Sequence, residues 1–267
     1  MEILKAAVLG IIQGATEFLP VSSSGHLVLG SKIMNFQGQG VVFDVFVHLG
    51  TLFAVVLVFR NELMAMIKSP FQMAAGTRDQ EVRASFLWAI YVCVATIPVV
   101  IIGLFLNDSI DQIFESELIV YCGLALTGMI MLLTQFLPER GKTLSHSNAF
   151  LIGIGQAMAI MPGLSRSGST IFTGMALGLN REVAARFAFI MSVPAILGAV
   201  VLKSGELLQA ANSTDSLLAI GAGTVMSAIS GYFAIVLLLD IVKKNRLQWF
   251  GYYCLLISSI GLVSYCF

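Results

Sequence analysis

Apolar residues in this chain do not alternate with polar ones at a strand or amphipathic-helix period. They run nearly unbroken over Val41–Phe59, Phe86–Leu106, Leu118–Leu137, Val183–Leu202, Leu217–Leu239 and Trp249–Phe267. Each run is near the ~20 residues that an α-helix needs to cross a bilayer. Two other stretches have a different pattern: a short apolar run, a cluster of Pro, Ser and Gly, and a second short run (Leu27–Ile33 in one, Ile171–Leu179 in the other). Neither second run is long enough to span. Irregular backbone is not tolerated in lipid unless it is buried in protein or lines a wet cavity, so each stretch is expected to be a re-entrant hairpin of two half-helices, at 3–33 and 149–180. A single kinked helix from Leu4 to about Gly30 is the simpler alternative; the clustering of breakers at the middle of both copies favours re-entry.

The two stretches are copies of one motif. At an offset of 143 residues, "GIIQGATEFLPVSSSGH" (Gly10–His26) lies over "GIGQAMAIMPGLSRSGS" (Gly153–Ser169), with identities at Gly10/Gly153, Ile11/Ile154, Gln13/Gln156, Ser22/Ser165, Ser24/Ser167 and Gly25/Gly168. "FRNEL" (Phe59–Leu63) roughly parallels "LKSGEL" (Leu202–Leu207), so the likeness extends further. The chain is thus expected to be two related halves, 1–140 and 145–267, in one membrane domain. A hairpin and three spans in each half invert one half relative to the other. The expected fold is therefore an all-α polytopic membrane protein of about six transmembrane helices plus two re-entrant hairpins, arranged as two inverted-topology repeats.

Composition agrees, and charge orients the bundle. Of 267 residues 57% are hydrophobic and 11% charged, against about 25% charged in soluble domains. With zero net charge and no basic stripe, nucleic acid is not an expected partner. The apolar N-terminus carries Glu2 and Glu17 and no small-residue cleavage site, so it is expected to belong to the mature chain. Four scattered cysteines without CxxC spacing indicate neither disulfides nor a zinc site. In the inverted topology one side receives eleven cations: Arg60, Lys68, Arg78 and Arg83, then Arg140, Lys142, Arg181 and Arg186, then Lys243, Lys244 and Arg246. The other receives Lys5, Lys32 and Lys203, and its 107–117 loop is acidic (Asp108, Asp111, Glu115, Glu117). The positive-inside rule makes the first side cytoplasmic. Both termini and the first hairpin then lie outside, the second hairpin enters from the cytoplasm, and their loops meet near the midplane.

Ionisable residues at membrane depth cost about 3 kcal/mol or more and mark functional sites. They are Glu17, His26, Arg166 and the Asp44/His48 pair. Gln13 and Glu17, four apart, share a helix face. Arg166 sits in "PGLSRSGST" where a half-helix starts; its guanidinium, the hydroxyls of Ser165, Ser167 and Thr170, and the backbone at Gly168 make an anion site. Arg166 can equally pair with Glu17 and exchange that partner for a ligand. Ser23, His26 and Glu17 together supply a nucleophile, an acid/base and a carboxylate for a hard cation. Asp44 and His48 share a face and are expected to bond to each other as supporting contacts. Asp240 with Lys243 and Lys244 is surface pairing, and His146 is expected to be solvated.

On "QGATEFLPVSSSGH" and "PGLSRSGST" the chain resembles, over nearly its whole length, the bacitracin-resistance family of undecaprenyl pyrophosphate phosphatases, whose patterns are [E/Q]xxxE followed by a serine-rich loop with His, and PGxSRSxxT. The resemblance implies a bacterial inner-membrane enzyme, active at the periplasmic or outer face, that removes the terminal phosphate of the C55 isoprenoid pyrophosphate and regenerates the peptidoglycan lipid carrier. It implies a long-chain isoprenyl pyrophosphate as partner and a divalent cation, Mg²⁺ or Ca²⁺. Gln13 and Glu17 fall on the acidic motif, Ser23 and His26 on the catalytic loop, and Ser165, Arg166, Ser167, Gly168 and Thr170 on the phosphate-binding motif, with Gln13 alongside. Because Gln13 is a neutral amide, the cation is placed mainly on Glu17 and the substrate phosphates. Either Ser23 or His26 could attack phosphorus. Inverted repeats around a midplane anion site also suit a lipid-phosphate flippase or anion-coupled transporter, the rival reading. The sequence sets no oligomeric state, and a homodimer is compatible with it.

Overall fold

The computed structural model describes residues 1–36, 40–114, 116–202 and 214–266, excluding the side chains of 41, 106–114, 214–216 and 266. Among these the chain forms eleven α-helices: α1 Glu2–Phe18, α2 Ser23–Met34, α3 Val41–Val58, α4 Arg60–Ala74, α5 Gln80–Phe114, α6 Glu117–Leu133, α7 His146–Met158, α8 Arg166–Ala176, α9 Arg181–Leu202, α10 Thr214–Lys243 and α11 Gln248–Cys266. Four of them (α5, α6, α9 and α10) are long and apolar enough to cross a membrane, or five spans if α3 and α4, bent by 80°, count as one. The chain is an all-α, multi-pass membrane protein. All six apolar runs are helical over most of their described residues; the first, as α3, counts only together with α4, and the last, as α11, is not among those four.

Both Pro/Ser/Gly stretches break into two helices. Leu19 leaves α1 at φ −66°, ψ 140°, because the ring of Pro20 forbids the helical region to the residue before it. Ser22 then takes φ 67°, ψ 95° and caps α2, its Oγ accepting from the Gly25 N–H at 3.4 Å. In the second stretch Gly163 turns the chain at φ 83° and Ser165 caps α8, accepting from the Gly168 N–H at 3.1 Å. The caps use Ser22/Ser165 and Gly25/Gly168, identities of the sequence repeat. No kinked single helix runs from Leu4 to Gly30.

Lipid supplies no hydrophobic drive between helices, so small residues and close backbone approach hold such bundles. Gly10 of α1 lies against the Gly223 carbonyl of α10, and Gly153 of α7 against the Ala95 carbonyl of α5; a Cβ on either would collide with main chain. α3 packs on α10 as α9 packs on α5, α3 on α9, and α6 on α11. Between them lies a buried core with Phe18, Phe59, Phe187 and Phe189, in which the Phe18 and Phe189 rings meet edge to face at 5.6 Å. Large apolar side chains such as Ile97, Leu104, Phe105, Phe233, Leu256 and Ile260 face outward, as a lipid-bathed surface requires.

Two sequence expectations change. The 107–117 segment is not a loop up to Phe114, because α5 continues through it; the side chains of Asp108 and Asp111, and Glu115 altogether, lie outside the described residues, as do Lys203 and the 203–207 part of the second "FRNEL"-like segment. α4 was not anticipated: its mixed apolar and charged residues lie below spanning hydropathy, and it is tied to α9 by Arg186 Nη1 donating to Glu62 Oε1 at 3.0 Å. Lys244 pairs with Asp240 at 2.5 Å, whereas Lys243 reaches Glu182 at 3.5 Å. Cys93, Cys122 and Cys254 are free thiols. His146 is exposed on one side and meets the edge of Tyr91 at 5.0 Å on the other.

Candidate active site

Glu17 lies in the last turn of α1 with only 8% of its surface exposed, and both carboxylate oxygens are engaged. Arg166 Nη2 donates to Oε1 in an ion pair. Ser23 Oγ donates to Oε2 at 2.5 Å, and Gln13 Nε2 donates to the same oxygen at 2.9 Å. Ser23 is the first residue of α2 and Arg166 the first of α8. The repeat-related positions of two helices therefore aim a hydroxyl and a guanidinium at one carboxylate. The N-terminal ends of both helices add partial positive charge, which together with Arg166 makes this point receptive to an anion.

The second loop is held rigidly. Thr127 Oγ1 on α6 donates to the Gly163 carbonyl at 2.9 Å and accepts from the Ser165 N–H at 2.9 Å. Packing of Gly163 on the Val120 carbonyl leaves no room for a side chain. Arg166 is thus placed by backbone that cannot shift independently of α6.

These groups open onto a cavity of about 520 Å³. Its polar wall comes from Glu17, Ser22, Ser23 and Ser24 of the first hairpin and Gln156, Ser165 and Arg166 of the second. α3 contributes Asp44, Val45 and His48; α5 contributes Val99; α9 contributes Ala195, Ile196, Ala199 and Val200. A polar head and an apolar chain can therefore lie in one space.

Not every expected site residue faces it. His26 does not line the cavity: its Nδ1 is 2.8 Å from the Ser22 carbonyl, and its Nε2 is 2.8 Å from the Tyr253 hydroxyl, with the two rings stacked. Ser167 Oγ donates to the Leu19 carbonyl at 3.2 Å, tying one hairpin to the other, and Thr170 Oγ1 donates back to the Arg166 carbonyl at 2.9 Å. The Gly168 N–H is used by the cap. Gln13 acts on Glu17 and is not part of the cavity wall. Of the residues expected to bind phosphate, Ser165 and Arg166 reach the cavity.

Asp44 and His48 do not bond side chain to side chain. His48 Nδ1 donates to the Asp44 backbone carbonyl at 2.6 Å, one helical turn back. That bond aims Nε2 at Glu17, 3.7 Å from Oε2. Asp44 Oδ1 is buried without a hydrogen-bond partner. Both line the cavity, a position that their shared helix face could not disclose. Gln156, known from the sequence only as an identity of the repeat, lines it too.

Among the described residues no group of three His, Cys, Asp or Glu side chains is arranged to hold a metal ion. Glu17 and Asp44, whose Oδ1 is buried without a partner, bring carboxylate oxygens to the cavity, the kind of hard ligand that divalent cations such as Mg²⁺ prefer.

The fold is that of a multi-pass membrane protein whose cavity brings Glu17, Ser23 and Arg166 together. Residues 6–260 match the family model for the bacitracin resistance protein BacA, and the chain belongs to that family. It is 38% identical over 279 residues to an undecaprenyl-diphosphatase of Desulfatibacillum aliphaticivorans, with 99% of each chain covered. It is 39% identical to that of Desulforapulum autotrophicum, again with 99% of each covered. It is also 39% identical to that of Methanobrevibacter smithii, covering 97% of this chain and 96% of the relative.

Proposed function

We propose that this protein is an undecaprenyl-diphosphatase, hydrolysing undecaprenyl diphosphate to the monophosphate and inorganic phosphate at the cavity between the hairpins. The observation that carries this reading is Ser23 Oγ at 2.5 Å from Glu17 Oε2 while Arg166 pairs with Oε1: a nucleophile, its base and an anion-gripping cation share one buried point. The full-length relatives, named for this activity, support it. Cell-wall lipid recycling follows from that activity.

In this mechanism the diphosphate takes Arg166 as partner in place of Glu17, and the isoprenyl chain lies along the apolar walls from α5 and α9. Ser23 Oγ attacks the terminal phosphorus in line with the bridging oxygen, its proton passing to Glu17 Oε2. The bond from phosphorus to the bridging oxygen breaks, and undecaprenyl monophosphate leaves, taking up the proton that Glu17 acquired. Water then attacks the phosphoserine, Glu17 again accepts the proton, and phosphate departs as Ser23 Oγ is reprotonated. Arg166 and Ser165 offset the charge on the transferring group throughout. Glu17 and Asp44 are the residues that would hold a divalent cation, which would supply further charge neutralisation. His26 anchors α2 to α11 and takes no part in the attack, since both of its ring nitrogens are occupied away from the cavity.

The same reading extends to architecture and side. Two inverted repeats, each a re-entrant hairpin with three spans, account for the paired Ser caps and for Gly10 and Gly153 meeting corresponding helices of the opposite half. The distribution of Lys and Arg supports a bacterial inner-membrane location with the cavity reached from the outer side. A flippase or transporter has no need of a serine hydroxyl held against a carboxylate.

The test is phosphate release by purified protein in detergent from a long-chain isoprenyl diphosphate with Mg²⁺ or Ca²⁺. Release is expected to stop with a chelator and to fall about 10²–10³-fold in Arg166→Ala. Absence of release from the wild type, or undiminished release from Arg166→Ala, sinks the reading.

A further inference from the structure

The cavity contains a polar side chain that the mechanism leaves unused. Gln156 of α7 is 2% exposed, lines the cavity with Glu17, Ser23 and Arg166, and has no hydrogen-bond partner on either Nε2 or Oε1. A buried amide with both polar atoms unpaired is costly, so native interiors rarely keep one.

The repeat explains why it is unpaired. Gln13 is its counterpart in the first copy, and there Nε2 donates to Glu17, four residues on, at 2.9 Å. Four residues after Gln156 the second copy has Ile160, whose side chain can accept nothing. Between Gln156 and Ser165 its cavity neighbours, Ala159, Ile160 and Leu164, are apolar. The partner is therefore not supplied by the turn that supplies it in the first copy.

The geometry points to Gln156 as a substrate-contacting residue, its Nε2 donating to an oxygen of the diphosphate head held between Ser23 and Arg166. This rests on the reading of the cavity as an isoprenyl diphosphate site. The head carries several negative charges and many acceptor oxygens, while the cavity wall offers it one permanently cationic side chain, Arg166, beside the carboxylates of Glu17 and Asp44. A neutral donor adds binding without an additional charge, and Oε1 is left to accept from a water of the bound head. Being neutral, the amide grips substrate and transition state alike, which shows in KM and not in kcat.

The experiment uses the full-length protein in detergent, with steady-state phosphate release from a long-chain isoprenyl diphosphate and thermal unfolding without ligand. Gln156→Leu is expected to raise KM about tenfold to a hundredfold, the range of a hydrogen bond to a charged group. Its kcat stays within about threefold of wild type, and its unliganded Tm is not lowered, since the substitution removes unpaired groups. Gln156→Glu is expected to raise KM further, because a carboxylate repels phosphate. A wild-type KM in Gln156→Leu overturns the inference, as does a lowered Tm with reduced kcat at unchanged KM, the result of a merely structural amide. If the wild type releases no phosphate, the phosphatase reading fails separately, and the inference is read from a non-hydrolysable isoprenyl methylenediphosphonate. Stabilisation of the wild type but not of Gln156→Leu by that analogue upholds it; equal stabilisation, or none of the wild type, overturns it.

Discussion

Ser23 and Arg166 stand at corresponding positions of the two motif copies, each the first residue of its helix, and both donate to Glu17 from opposite sides of the carboxylate. Glu17 is thereby both the base nearest the hydroxyl and the resting partner of the guanidinium. Removing its charge without changing its shape separates these roles from packing. Glu17→Gln is expected to lower kcat about 10²–10⁴-fold, the range for loss of a general base, and Ser23→Ala at least about 10³-fold. Glu17→Gln also leaves Arg166 without its anionic partner in a site where Arg166 is 19% exposed, so its unliganded Tm is expected to fall. Phosphate release and thermal unfolding on the same preparations check both. A Glu17→Gln protein with wild-type kcat removes the carboxylate from the mechanism.

His26 makes the opposite prediction. Its ring bridges the Ser22 carbonyl and the Tyr253 hydroxyl, so it holds the start of α2, and with it Ser23, against α11. Losing that tie loosens Ser23 without deleting any group from the cavity. His26→Ala is expected to lower kcat by about tenfold, the cost of a net hydrogen bond or two. Tyr253→Phe is expected to act in the same direction and less. If His26→Ala loses activity as completely as Ser23→Ala while remaining folded, the imidazole is the nucleophile and Ser23 the support.

Much of this site was legible in the sequence because a repeat aligns positions that no single motif relates. The offset of Gly10 on Gly153 puts Arg166 over Ser23, and membrane depth makes Glu17 and Arg166 conspicuous. The direction of short side chains was not legible. Ser167 and Thr170 belong to a phosphate-binding pattern, yet their hydroxyls serve backbone carbonyls, because a helical Ser or Thr reaches the preceding turn as easily as a ligand. Periodicity placed Asp44 and His48 on one face but not the cavity that the face lines. α4 escaped because its charges interrupt the apolar pattern, and its stability comes from partners far in sequence, Glu62 with Arg186 among them.

The proposed pair of repeats predicts matched packing that can be measured. Gly10 and Gly153 each abut a carbonyl of a helix in the other half, so an added side chain at either must push two backbones apart. Gly10→Val and Gly153→Val are each expected to destabilise by about 1–3 kcal/mol, the usual cost of overpacking. The matched design shows in the similarity of the two losses, whereas Gly198→Val, with open space where its Cβ would stand, is expected to lose little. Thermal unfolding in one detergent compares all three. Loss confined to one of the repeat pair argues against equivalent packing of the halves.

The proposed topology places Lys32 and Lys142 on opposite sides of the membrane, though both are exposed. Lys32 ends the first hairpin and pairs with Glu117; Lys142 lies between α6 and α7, where its N–H donates to the Gly178 carbonyl at 3.1 Å. Neither side chain is needed for the fold, since an exposed ion pair contributes about 0–1 kcal/mol and the Lys142 contact is made by backbone. In a chain whose own four cysteines are replaced by alanine, Lys32→Cys is expected to react with a membrane-impermeant maleimide on intact cells. Lys142→Cys is expected to react only after lysis. Reaction of Lys142→Cys alone on intact cells reverses the orientation and gives the cavity to the cytoplasm. Reaction of both on intact cells removes the inverted arrangement, because an odd number of crossings must separate them.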